Sequence, residues 1–181
     1  MKRIYLVRHC KAKGQEASAQ LTEEGFIQAE ELVDLFSNKQ IDFIVSSPYE
    51  RAVTTIRPLS KKLNLEIHID DRLSERVLSS ENVADWIDRL KESFADLDIK
   101  LPGGESSREA MNRGAAAINE LLERKEASIV AVTHGNLMSL ILKSFDDRFG
   151  FDDWKALSNP DVYELTFTDK SREVIINRLW K

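Results

Sequence analysis

Ile4-Tyr5-Leu6-Val7-Arg8-His9-Cys10 is the stretch that decides the fold. Four apolar residues in a row, with no polar alternation, read as a strand buried on both faces. That is the habit of parallel sheets flanked by helices. The run ends abruptly in a permanent cation and an imidazole. The carboxyl end of such a strand is where open α/β sheets bind ligands. Arg8 presents a planar fork of donors suited to a phosphate or carboxylate. His9 can serve near neutral pH as nucleophile, acid–base group or ligand. Alone, the dipeptide supports two readings, a polar strand cap or part of a site, and the rest of the chain has to choose.

Outward from this strand, Lys11 to Gln20 is polar and carries Gly14, so it reads as a loop. Thr22 is placed to cap a helix whose first turn holds Glu23 and Glu24, acids that suit the positive end of its dipole. Phe26, Ala29, Leu32, Val33 and Phe36 recur at helical spacing and predict its buried face. Ile41 to Val45 is a second apolar strand, ending in Ser46-Ser47-Pro48, and a helix over 49–63 follows. Pro58 lacks an amide hydrogen and is expected to kink or break that helix.

Glu66 to Ile69 alternates as a short strand does, and 70–80 reads as a loop. Val83, Trp86, Ile87, Leu90, Phe94 and Leu97 form an amphipathic helical stripe that places Trp86 in the core. Leu101-Pro102-Gly103-Gly104 stops that helix. Ser106 and Glu109 make an S-x-x-E capping box for the next one, with Met111, Ala115, Ile118, Leu121 and Leu122 on its apolar face. Ser128 to Val132 is another strand, running into Thr133-His134-Gly135 and a helix over 136–145. Val162 to Phe167 and Val174 to Asn177 predict a closing hairpin turned over 168–171. Strands alternating with helices imply a three-layer α/β/α sandwich, mostly parallel with an antiparallel edge.

The 181 residues suffice for one domain with a proper core and are too few for two, so 1–181 is read as a single domain. Its 42% hydrophobic and 31% charged residues fit a soluble globular chain. A net charge of -5 opposes a nucleic-acid or anionic-membrane partner. No apolar run approaches the roughly 18 residues of a membrane span, and Ile4 to Val7 is too short for a signal-peptide core. One cysteine excludes an internal disulfide and a Cys-rich zinc site. These properties point to the cytoplasm by default. The segment over about 70–104 lies between two sheet strands and is the candidate lid or substrate-shaping insertion.

Three strands end alike, at Arg8-His9, at Ser46-Ser47-Pro48 with Arg51 a turn further on, and at Thr133-His134-Gly135. Were they parallel neighbours, Arg8, His9, Arg51 and His134 would converge at one edge. Free amides at the start of the helix after His134 would add to an anion site. Such a set suits a phosphoryl group, whose charge is spread over several oxygens.

Leu6-Val7-Arg8-His9, Leu21-Thr22-x-x-Gly25-x-x-Gln28-Ala29, Ser46-Ser47-Pro48-x-x-Arg51-Ala52, Leu73-Ser74-Glu75, Pro102-Gly103-Gly104-Glu105-Ser106 and Val132-Thr133-His134-Gly135 occur in that order. Together they resemble the histidine phosphatase superfamily, which includes cofactor-dependent phosphoglycerate mutases and related phosphatases. The resemblance implies a phosphoglycerate mutase-like fold and a histidine acid phosphatase-type phosphomonoester hydrolase. His9 would be the nucleophile forming a phosphohistidine. Arg8, Arg51 and His134 would hold the non-bridging oxygens. Glu75 would protonate the leaving oxygen, with Glu81 as a substitute. No metal and no cofactor are implied, and the substrate would be a small phosphorylated metabolite.

The chain departs from the family where Cys10, Lys11 and Ala12 follow the histidine. Gln15 stands where members often carry a phosphate-binding Asn, and is read as a longer amide donor or an exposed loop residue. Lys11 and Lys13 read as solvated surface, or as added charge at the mouth. Cys10 lacks the C-x5-R pattern of thiol phosphatases and reads as a packed bystander. His68 reads as surface, and Trp154 and Trp180 carry no mechanistic signal. Asp146, Asp147, Asp152 and Asp153 form a solvated turn or, alternatively, a metal site. Two further functions stand as alternatives: a phosphoglycerate mutase, and a non-catalytic phosphate-binding module. The short insertion with Arg76-Val77-Leu78-Ser79-Ser80 after Glu75 weighs against the mutase.

Overall fold

The computed structural model describes residues 1–168 and 173–180. Its centre is a six-stranded sheet of β1 (Lys2–Arg8), β2 (Phe43–Ser46), β3 (Ile67–Ile69), β4 (Ser128–Thr133), β5 (Asp161–Phe167) and β6 (Val174–Arg178), in the order β3-β2-β4-β1-β5-β6. The first four run parallel. β5 and β6 form the antiparallel edge that the sequence pattern implied. The expected hairpin turn at 168–171 falls largely outside the described residues.

Register explains how three strand ends come level. Arg8 pairs with Thr133 across β1 and β4, and Ser46 pairs with Val132 across β2 and β4. The ladder continues one step beyond the strands: His9 N–H donates to Thr133 O at 3.1 Å, and Ser47 N–H to Val132 O at 2.9 Å. His9, Ser47 and His134 are thereby held side by side.

The unalternated run of β1 divides its side chains between two cores, as a period of two requires. Tyr5 and Val7 pack with Ile44, Val130 and Val132 under α1 (Glu23–Leu35) and α2 (Glu50–Leu63). Ile4 and Leu6 pack on the other face with Val45, Ile129 and Ala131. They lie there under α3 (Trp86–Ala95), α4 (Ser107–Leu122) and α5 (Gly135–Phe145). The three-layer sandwich is thus the observed architecture.

Several local expectations change. α2 runs unbroken through Pro58. Thr55, Ile56 and Leu59 on its inner face are buried, and that packing outweighs the single missing amide donor. Phe26 is exposed, because Gly25 and not Phe26 lies on the buried stripe of α1. Only the forward half of the predicted capping box forms: Ser106 Oγ accepts from Glu109 N–H, whereas the Glu109 carboxylate pairs with Lys100. α3 begins at Trp86, later than the apolar stripe suggests, and buries Leu90 and Phe94 while Trp86 and Ile87 face solvent at 46% and 48% exposure. A short helix, α6 (Phe151–Lys155), went unpredicted; five residues are too few to show a helical period.

Candidate active site

β1 delivers Arg8 and His9 to the carboxyl edge, α2 delivers Arg51 from its first turn, and the β4–α5 junction delivers His134. The rings of His9 and His134 lie 5.1 Å apart, edge to face. Arg51 is buried, and its Nε donates to His9 Nε2 at 3.2 Å. Its Nη1 is anchored by the Gln15 and Glu16 carbonyls at 3.1 and 2.8 Å, so the 11–20 loop is tied to the site through its backbone.

The tautomer of each histidine follows from its neighbours. His9 Nδ1 is 2.7 Å from the Cys10 carbonyl, which can only accept, so Nδ1 carries the proton and Nε2 keeps a lone pair. Ser47 Oγ accepts from Tyr49 N–H at 3.2 Å and lies 2.8 Å from His134 Nε2. Its hydroxyl hydrogen has no other acceptor among the described residues, so it is assigned as donating to His134 Nε2, which places that ring's proton on Nδ1. Burial lowers the His9 pKa to about 4, and the Arg51 and Arg8 charges add to the effect against the Cys10 hydrogen bond. Burial, with His9 and the arginines, lowers His134 to about 2. Both rings are neutral at physiological pH.

Three buried polar atoms have no hydrogen-bond partner among the described residues, and all belong to this edge: Arg8 Nε, His134 Nδ1 and Asn136 Oδ1. Buried polar groups are nearly always paired. Two orphan donors, one of them on Arg8 itself, beside the Arg51 guanidinium mark a place shaped for an anion. Arg8 Nη1 donates to Ser158 O at 3.2 Å, and Asn159 Nδ2 donates to His9 O at 3.0 Å. Buried Asp161 in turn caps the Ser158 amide and pairs with Arg178. This 158–161 turn was missed in the sequence, where it is only a polar break before a strand. Gly135 completes the close packing: a Cβ there would stand 2.8 Å from Arg8 Nε.

Glu75 holds an unexpected position. Its Oε2 accepts from Asn136 N–H at 3.1 Å, and its Oε1 from Leu137 N–H at 2.9 Å and from Arg76 N–H at 2.8 Å. The α5 amides predicted to bind an anion ligand are therefore already taken by a side-chain carboxylate, which the positive end of the helix attracts. The loop bearing Glu75 is fixed from below by Arg113, whose guanidinium donates to the Arg72, Ser74 and Glu75 carbonyls.

All six predicted site residues meet here. Arg8, Gln15, Arg51 and Glu75 line one cavity of about 710 Å³ together with Tyr49, Asn136, Glu81 and Trp86, and His9 and His134 form the packed base beneath them. Trp86, expected in the core, is at the rim of this cavity. Trp154, expected to be silent, lines it as well. Cys10 is buried, its thiol pushed up to about 12 by that burial. Of the four clustered aspartates, Asp146 pairs with Arg148 and Asp153 caps Gly150. No group of three or more His, Cys, Asp or Glu among the described residues could hold a metal ion. No helix among the described residues is long and apolar enough to cross a membrane.

Adjacent parallel strand ends that present an Arg-His pair and a second His define an α/β protein with a cationic site at the carboxyl edge of its sheet. The chain belongs to the histidine phosphatase superfamily (branch 1), whose family model matches residues 4–177. A curated relative, a putative phosphoserine phosphatase 2 of Hydrogenobacter thermophilus, is 29% identical over 197 aligned positions, covering 99% of this chain and 97% of the relative. Among solved structures, mycobacterial glucosyl-3-phosphoglycerate phosphatase superposes with a TM-score of 0.79 at 23% identity, over 99% of this chain and 98% of the other. Phosphoserine phosphatase of Entamoeba histolytica, solved as an H9A mutant with phosphoserine, gives 0.80 at 19% identity, over 99% and 97%.

Proposed function

We propose that the protein is a phosphatase that hydrolyses phosphate monoesters through a phosphohistidine on His9, without a metal ion. The observation that carries this reading is the His9 Nδ1–Cys10 carbonyl hydrogen bond. It leaves the Nε2 lone pair as the nucleophile in a neutral ring, beside two arginines. Substrate would exchange the Arg51 Nε–His9 contact for a phosphoryl oxygen. Arg8 Nε, Arg51, His134 Nδ1–H and the Gln15 amide would hold the non-bridging oxygens. Their fixed positive charge and dipoles would stabilise the charge that spreads over those oxygens in the transition state.

His9 Nε2 attacks phosphorus in line, and the bond from phosphorus to the ester oxygen breaks. The departing oxygen takes a proton from Glu75. Each carboxylate oxygen has two lone pairs. Three amides occupy two sites on Oε1 and one on Oε2, which leaves Oε2 the free lone pair that would hold the proton during transfer. In the second step Glu75 takes a proton from water. The oxygen of that water attacks phosphorus, the phosphorus–nitrogen bond breaks, and inorganic phosphate leaves with His9 restored. Glu81, further out on the rim, would serve the leaving group and not the proton transfer.

The test is single-turnover incubation with a 32P-labelled alkyl phosphate in excess chelator, followed by alkaline isolation of the protein. A label stable to alkali and lost in acid, and absent from His9→Ala, is expected, with steady-state turnover in the variant down by about 10⁴-fold or more. Activity abolished by chelator, or undiminished in His9→Ala, overturns the proposal. Label returned to 3-phosphoglycerate in the presence of a bisphosphorylated primer, faster than to water, replaces the phosphatase with a mutase.

A further inference from the structure

Beyond the phosphoryl cradle the cavity continues outward between the segment 75–90 and α6, and its walls change character. Val77, Leu78, Val83 and Leu90 line one side, and Trp86 and Trp154, packed on each other, line the outer part. The two indoles meet edge to face with centroids 6.2 Å apart. Val77 and Trp86 leave large apolar surface in water at this rim, at 43% and 46% exposure. Exposed apolar surface continuous with a polar site marks a place where a ligand is bound.

The charges of the same wall are equally specific. The cations lining the cavity are Arg8, Arg51 and Arg76. Arg8 and Arg51 belong to the cradle. Arg76 is buried, and each of its three nitrogens donates to the protein: to the Glu105 carbonyl at 3.3 and 3.0 Å, and to Ser93 and Ser107 hydroxyls at 3.4 and 3.2 Å. It is a strut for the loop, with four of its five N–H groups already given to the protein. The exposed rim adds an acid, Glu81. A leaving group with a carboxylate would therefore lose its hydration against an apolar wall and a like charge, with no free cation among the described residues that line the cavity.

We propose that this cleft selects phosphate monoesters whose leaving group is uncharged and carries a flat aromatic ring, held by Trp86 and Trp154, and that it disfavours leaving groups bearing a carboxylate, as in phosphoserine or 3-phosphoglycerate. The inference rests on the phosphatase reading above and deepens it. The cavity, at about 710 Å³, is in the range that encloses a ring-bearing molecule and not only a small acid.

The experiment compares kcat/KM for 2-phenylethyl phosphate, n-propyl phosphate and O-phosphoserine, all primary alkyl esters, so that leaving-group reactivity differs little. The ring-bearing ester is expected to lead propyl phosphate by about tenfold or more, the worth of one good aromatic contact, with phosphoserine last. Trp86→Ala and Trp154→Ala should each remove most of that advantage through KM and leave propyl phosphate within about threefold. Trp86→Phe should retain the advantage. Glu81→Lys should raise phosphoserine turnover about tenfold. Phosphoserine leading in the wild type, tryptophan variants that lower all three esters alike, or no gain for phosphoserine in Glu81→Lys overturns the inference and leaves the phosphatase reading standing. No turnover of any ester overturns both.

Discussion

The floor and the rim of the cleft are built by different means. On the floor His9, Arg51 and His134 are buried and Arg8 is half-buried, and most are held by backbone: His9 by the Cys10 carbonyl, Arg51 by the Gln15 and Glu16 carbonyls, Arg8 by Ser158. Sheet register places these groups, and register is rigid. At the rim, Trp86 and Glu81 stand exposed on a helix start and a loop with little beneath them. The contrast assigns chemistry to the part that cannot move and recognition to the part that can vary without disturbing the sheet. Glu75 joins the two: it belongs by sequence to the rim loop and by its hydrogen bonds to the floor.

That joint is the place to break the comparison hardest. Glu75→Gln keeps a carbonyl for the Leu137 and Arg76 amides, gives up the acceptor for the Asn136 amide and removes the transferable proton. Turnover of alkyl phosphates is expected to fall by about 10²–10⁴-fold. The loss should shrink for esters of acidic alcohols, which need no proton to leave. An equal loss across leaving groups would mean that Glu75 only holds the loop in place. Gly135→Ala probes the floor alone. The new methyl displaces the Arg8 guanidinium, so kcat/KM is expected to drop by about 10- to 100-fold. The Tm should shift by no more than about 4 °C, as for a change near 1 kcal/mol in a domain of this size. A variant that loses stability in proportion to activity would show the close approach to be packing and not phosphate binding.

A smaller effect sharpens the picture of a preorganised floor. Folding holds His9 and His134 below the ordinary value of 6.5, chiefly by burial. The unfolded chain therefore binds more protons than the folded one once pH drops below about 6.5. This stability contribution is complete above that pH and is lost on acidification, for His9 down to its folded value of about 4. Urea unfolding should show stability falling by up to about 1.4 kcal/mol per pH unit for each of the two rings below pH 6. His9→Gln should remove one proton's share of that slope. A flat profile from pH 7 to 4.5 would show that the imidazoles are not desolvated.

Much of this was legible before any coordinates. The strands of the sheet, the helices on both faces and the antiparallel edge follow from apolar runs, helical spacing and caps, which are local signals. The convergence of Arg8, His9, Arg51 and His134 needed only the premise that three similar strand ends are neighbours, and the order β2-β4-β1 meets it. Trp86 illustrates what was not legible. Its phase matched the apolar stripe of Leu90 and Phe94. Whether a first-turn residue is covered depends on what packs over that turn, and here the cavity opens beside it. Pro58 failed as a helix breaker for the same kind of reason, because burial of the α2 face is decided by the partner and not by the helix.

By itself the sequence determined the layer architecture and the identity of the groups at the strand ends, because period and residue type act over a few positions. Tertiary structure alone decided that the Glu75 carboxylate caps α5, sixty residues away, that Ser47 sets the proton on His134, and that the 158–161 turn seats Arg8 and His9. Each of these joins residues far apart in the chain through a single polar contact. Only the packed sheet and its helices bring such groups within hydrogen-bonding distance, and no local pattern records them.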